Sequence, residues 1–280
     1  MKGRESSQNN RSKQMKTAAA IGMIAAALGF SGVAAENKQG PPSSSAPKAA
    51  PAGGKGAGAM RQAASAKEYL FAFFYEKDDE VTRAARMTLD AALQKMTPVP
   101  RSIAVDRTAA GEKEIVEKFG VGQAPMPLML AIAPNGAVTS GLRAGDLTEQ
   151  RLRDAVASPA MQQCLKALQE RKLVFVCVQN GQTKSNEAAM KGVNEFKADP
   201  QFAESTEIVK VDPTDAKEAK LLAQLKADPK SKTANTALLA PPGMVVTSLE
   251  GATSKAGLEA ALKKAAASCA PGSGCCPAPK

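Results

Sequence analysis

Two spacings of apolar residues alternate along the chain. Residues 68–75, EYLFAFFY, set Phe71, Phe73, Phe74 and Tyr75 side by side with Tyr69 close by, which predicts a central strand buried on both faces. Over residues 78–96 the spacing turns helical. Val81, Ala84, Ala85, Leu89, Ala92, Leu93 and Met96 recur at three and four, Asp78 and Asp79 stand in the first turn, and Lys95 stands in the last. Pro98 and Pro100 stop that helix. Residues 101–106, RSIAVD, predict a short strand, and residues 112–119, EKEIVEKF, a helix. The organising stretch is residues 119–138, FGVGQAPMPLMLAIAPNGAV. It reads as a loop with closely spaced prolines, a strand over residues 128–133 too short to be a helix, and a turn at Pro134, Asn135 and Gly136. There the Asn-Gly pair predicts a two-residue hairpin with positive φ angles. Residues 137–142 pair back as the second strand, and residues 147–156, with Leu147, Leu152 and Val156 on one face, form a closing helix. The order is β-α-β-α-β-β-α, an α/β pattern in which helices cover a mixed sheet.

The pattern then repeats. Ser158 and Pro159 open a helix as cap and first residue. Residues 172–178, KLVFVCV, match the aromatic strand, residues 187–198 match the long helix, residues 207–212, EIVKVD, match RSIAVD, and a last helix runs over residues 255–267. Val105-Asp106-Arg107-Thr108 recurs as Val211-Asp212-Pro213-Thr214, an offset of 106 residues (211 − 105), and the turn at Pro134 recurs at Pro241, an offset of 107 (241 − 134). Two landmarks at nearly one offset point to an internal duplication of a unit of ordinary domain size. Asp106 and Asp212 each end a strand, one per copy, and are expected to turn the chain locally.

The run of aromatic-Gly-Val, proline, apolar strand and Pro-Asn-Gly turn resembles the second half of a thioredoxin-like domain, so the chain reads as two tandem thioredoxin-like domains. The resemblance implies that the proline before residues 128–133 is cis and faces the redox site. Pro125 or Pro127 holds that place, and the loop Ala124, Pro125, Met126 and Pro127 becomes the expected contact surface for a protein or peptide partner. In the second copy Ala234 stands where the first has Pro127, which departs from the family pattern. A second departure is larger. The family places Cys-x-x-Cys after the first central strand, at a helix N-terminus that stabilises the attacking thiolate. Residues 75–81, YEKDDEV, and 178–183, VQNGQT, hold no cysteine. Both domains therefore read as lacking the redox pair, and the chain as a binding or scaffold module.

Five cysteines are present. Cys177 within VFVCV and Cys164 within MQQCLKALQE occupy apolar patterns and read as packed thiols, with a pairing between them the alternative. Cys269, Cys275 and Cys276 stand in a Pro/Gly/Ser tail, where three roles are open. One is a disulfide from Cys269 to Cys275 or Cys276, another a soft-metal site for Cu or Zn, and the third a mobile dithiol arm exchanging with partner disulfides. Three sulfurs fall short of the four ligands of structural zinc. The odd total leaves one thiol unpaired in any fully oxidised monomer.

The ends and the charge complete the picture. Lys2, Arg4, Arg11, Lys13 and Lys16 precede an apolar core over residues 17–29 and a small-residue site at Val33-Ala34-Ala35. This predicts an export signal cleaved after Ala35, with Met15 an alternative start and an uncleaved anchor the competing reading. The apolar core is shorter than the ~20 residues a membrane span needs. The expected organisation is a signal over residues 1–35, a Pro/Ala/Gly-rich flexible linker over 36–62, domains over 63–157 and 158–267, and the tail over 268–280, in a periplasmic or secreted protein. Histidine is absent, which removes His-based triads, dyads and metal sites. The formal net charge of +10 is spread without basic blocks interleaved with aromatics, so nucleic acid is not an expected partner. No P-loop, dinucleotide fingerprint or nucleophile elbow is present.

Overall fold

The computed structural model describes residues 53–268. The expected export signal, most of the expected linker, and Cys269, Cys275 and Cys276 lie outside the described residues. The elements, in chain order, are α1 (Lys55–Ala66), β1 (Leu70–Tyr75), α2 (Glu80–Leu93), β2 (Arg101–Asp106), α3 (Lys113–Lys118), β3 (Leu128–Ile132), β4 (Val138–Arg143), α4 (Glu149–Asp154), α5 (Pro159–Gln169), β5 (Leu173–Val178), α6 (Asn186–Ala198), β6 (Thr206–Val211), α7 (Ala219–Leu225), β7 (Asn235–Ala240), β8 (Met244–Glu250) and α8 (Lys255–Ser268).

The strands form two sheets of the same order, β2-β1-β3-β4 and β6-β5-β7-β8. β1 is parallel to β2 and antiparallel to β3, and β3 is antiparallel to β4; the second sheet repeats each relation. Alternation along β1 sends Phe71 and Phe73 to the face covered by α2 and α4, and Leu70, Ala72 and Phe74 to the face covered by α1 and α3. β5 divides likewise, with Phe175 and Cys177 on one side and Val174, Val176 and Val178 on the other. Each fully buried Phe contributes roughly 1.5–3 kcal/mol, and the largest buried side chains, Phe71, Phe73, Phe74, Phe175 and Phe196, centre on these two strands.

α1 corrects the linker expectation over residues 55–62. Its Gly/Ala composition offers little area to bury, but small residues let the backbone approach the sheet. A Cβ on Gly56 would lie 2.7 Å from the Glu112 carboxylate and 3.1 Å from both Ile115 and Val105, and Ala57 and Ala63 are buried. α1 is the counterpart of α5, and both begin on a buried glutamate. Glu112 accepts a hydrogen bond from the Gly56 N–H (2.9 Å), and Glu218 accepts one from the Ala160 N–H (3.0 Å) and one from the Ser158 hydroxyl. Both helices end alike, on Lys67 and Arg171 in the left-handed region.

Two further expectations are adjusted. The first-copy hairpin is not the two-residue form. Gly136 N–H bonds the Ala133 carbonyl and Ala133 N–H bonds the Ala137 carbonyl, with Gly136 alone at positive φ (82°) and Asn135 Oδ1 accepting from Ala137 N–H. Pro134 favours a type I turn, and the glycine completes it as a bulge. The helix expected over residues 147–156 spans only Glu149–Asp154, because Thr148 caps it through Arg151 N–H. Asp106 and Asp212 turn the chain as expected, each accepting from the N–H and hydroxyl of the threonine two residues on.

The copies meet along the edge of β4. The Gln169 amide acts as a short piece of strand, accepting from Val138 N–H (3.0 Å) and donating to Val138 C=O (2.7 Å). The Tyr69 hydroxyl is bonded to both the C=O and the N–H of Ala157 in the connection. No helix among the described residues is long and apolar enough to cross a membrane.

Candidate groove beside the proline loop

At the C-terminal end of β1 the chain turns into α2, whose Thr82 N–H is claimed internally. Asp79 caps the helix by accepting from Thr82 N–H (2.8 Å), and that bond from the Thr82 backbone, followed by one from its hydroxyl, holds the Asp79 carboxyl below its ordinary value. Facing this turn is the proline loop. The Met126–Pro127 peptide is cis, which assigns the family position to Pro127 rather than Pro125. Pro127 is buried, Met126 and Ala124 are half-buried, and Pro125 is exposed. Between turn and loop lies a groove of about 360 Å³ lined by Glu76, Lys77, Asp79, Val81, Thr82, Met126 and Pro127. Val81, on its rim, is 59% exposed.

Arg107 holds the two walls at a set separation. Its guanidinium donates to the Ala124 carbonyl (2.8 Å) and the Val121 carbonyl (3.4 Å) on the loop side, and pairs with Glu76 on the helix side. Its own N–H reaches Tyr75 C=O (2.9 Å). Sequence reading passed over this residue. The signal was present all the same, because Pro213 replaces Arg107 between the repeated Val-Asp and Thr, and proline cannot make such a clamp.

The second copy closes the equivalent space. Lys184, at the place of Asp78, donates its N–H to Lys232 C=O (2.8 Å) and accepts from Ala234 N–H (3.0 Å), a parallel bridge across what would be the groove. Pro127 has no N–H and cannot make the second bond. The departure at Ala234 therefore has a physical reason: alanine supplies the donor that zips the second site shut.

No thiol lines the first groove. Cys164 and Cys177 are free and buried, on opposite faces of the second sheet, so the alternative of a pairing between them is overturned. Burial pushes the Cys164 thiol up to about 12 and the Cys177 thiol up to about 11. Among the described residues no cluster of cysteine and carboxylate ligands is placed to hold a metal. What lies between turn and loop is an open groove lined by both charged and apolar side chains.

The strand order, a helix following the first strand at its C-terminal end and a cis-proline loop facing that helix are common to the family described above. The fold of each copy is thioredoxin-like. No family model matches the chain, and no curated protein sequence does. Solved structures similar to it include the first two thioredoxin domains of Saccharomyces cerevisiae Eps1p (9% identity, 73% of this chain and 92% of that one, TM-score 0.28). Human ERp44 is similar at 9% identity over 80% of this chain and 59% of its own, with a TM-score of 0.31. The NTD_N/C domain of the alkylhydroperoxide reductase AhpF from Enterococcus faecalis is similar at 14% identity, 74% and 98% coverage and a TM-score of 0.22.

Proposed function

We propose that this chain is an exported tandem thioredoxin-like module without redox activity in its folded domains, which holds a protein partner in extended form in the first-copy groove. The observation that carries this reading is the contrast between copies. One site is propped open by Arg107 and bordered by exposed Val81, while its twin is closed by backbone hydrogen bonds, and neither holds a thiol. Export follows from the basic and apolar segments ahead of residue 36 and gives a periplasmic or secreted location. A photoreactive residue at position 126, introduced in cells, is expected to crosslink one partner that the same residue at position 233, in the closed copy, does not. Equal capture at both positions, or capture only at 233, would overturn the groove as the contact surface.

A second reading assigns thiol–disulfide exchange, or soft-metal binding of Cu or Zn, to Cys269, Cys275 and Cys276. It is favoured by the burial of both other thiols, which leaves the tail as the place for any sulfur chemistry.

A further inference from the structure

A second opening lies at the other end of β1. It encloses about 360 Å³ and is walled by the Tyr69 ring, Met96, Pro98, Pro100 and Val156, with Lys67 at its mouth. The second copy shows what ordinarily fills this space. By strand register and helix offset, Leu173 stands for Tyr69, Phe202 for Met96 and Leu262 for Val156. Those three pack on the cluster of Phe175, Phe196 and Leu258, and Phe202 stacks on Phe196 with ring centroids 4.2 Å apart. The first copy keeps the frame and shortens two of the three side chains, which leaves Val156 42% exposed and Val99 beside it 53% exposed. An apolar guest gains what Phe202 and Leu262 gain, the removal of hydrocarbon from water.

The mouth selects the charge of that guest. Among the described residues Lys67 has no carboxylate partner. Glu68 is taken by Arg101 (3.0 Å), and Glu149 is shared between Arg153 (2.8 Å) and Lys95 (3.4 Å), so cations outnumber available anions there. We propose that this cleft binds a small amphiphilic carboxylate, its aliphatic part against Met96, Pro98 and Val156 and its carboxylate at Lys67. The site is independent of the proline-loop groove at the opposite end of the strand.

Titrating decanoate into the full-length protein, followed by backbone amide shifts, tests it. Saturable shifts are expected at Lys67, Tyr69, Val99 and Val156 and not at Thr82 or Met126. The double variant Met96→Phe, Val156→Leu, which installs the second copy's side chains, is expected to weaken binding at least about tenfold. Lys67→Asn should weaken decanoate roughly two- to fivefold at low salt and leave decanol unaffected. Shifts confined to other surfaces, no saturation at millimolar decanoate, or undiminished binding by the filled variant would overturn the site. Equal losses of decanoate and decanol in Lys67→Asn would overturn the role given to the carboxylate.

Discussion

Cys164 and Cys177 show how much a single position depends on its surroundings. Both thiols titrate far above their ordinary value because burial disfavours the thiolate. A thiol raised in the folded state is neutral in both states below about 8.5, its value in the unfolded chain, so its contribution to stability is fully present there. Above that pH the unfolded chain gives up protons that the folded one retains, and stability falls up to about 11 for Cys177 and about 12 for Cys164. Unfolding free energies from urea denaturation between pH 8 and 10.5 are expected to fall by roughly 1 kcal/mol per pH unit per thiol, and Cys164→Ala, Cys177→Ala should flatten that thiol-dependent slope. With Cys269, Cys275 and Cys276 replaced by Ser, native protein should give no rapid thiol labelling and no insulin reduction. Rapid labelling would contradict the buried placement, and insulin reduction surviving the replacement would sink the tail as the redox element.

Among elements, the pair of loops before α2 and α6 carries the structural difference between the two grooves. The bridge at Lys184 needs the Ala234 N–H, so Ala234→Pro removes one backbone hydrogen bond and is expected to cost about 0.5–1.5 kcal/mol. Hydrogen exchange should show it locally, with the Lys184 and Thr183 amides exchanging faster while those of β5 stay protected. Unchanged exchange at Lys184 would mean that the bridge does not hold the second groove shut. The elements were legible in the sequence where apolar spacing was strong: β1 and β2 lie within two residues of their expected ranges, and α2 within three. α1 was not legible, because its Gly/Ala/Ser face buries backbone rather than side chain, and hydropathy patterns register only side chains.

At the scale of the whole molecule, the two copies are joined by polar contacts that stand in for strand pairing. Gln169 satisfies both backbone groups of Val138, and its loss would leave the edge of β4 without that cover. Gln169→Ala is expected to destabilise by roughly 1–2 kcal/mol, two hydrogen bonds with partial replacement by water, and to loosen the junction in small-angle scattering. An unchanged unfolding midpoint together with an unchanged scattering profile would refute a role for this contact in fixing the arrangement.

The sequence by itself determined the strands, the duplication, the missing redox pair and a proline loop in which Pro125 or Pro127 holds the special place; the structure assigned it to Pro127. These follow from local hydrophobic period and from residue types whose backbone chemistry travels with them, such as a proline without an N–H or a segment without a thiol. Only the tertiary structure decided that Arg107 spans the groove, that Lys184 closes its twin, that two buried glutamates start α1 and α5, and that the first copy keeps a cleft its partner fills. Each of these is a contact between residues far apart in the chain, and its energy depends on geometry that spacing along the sequence does not encode.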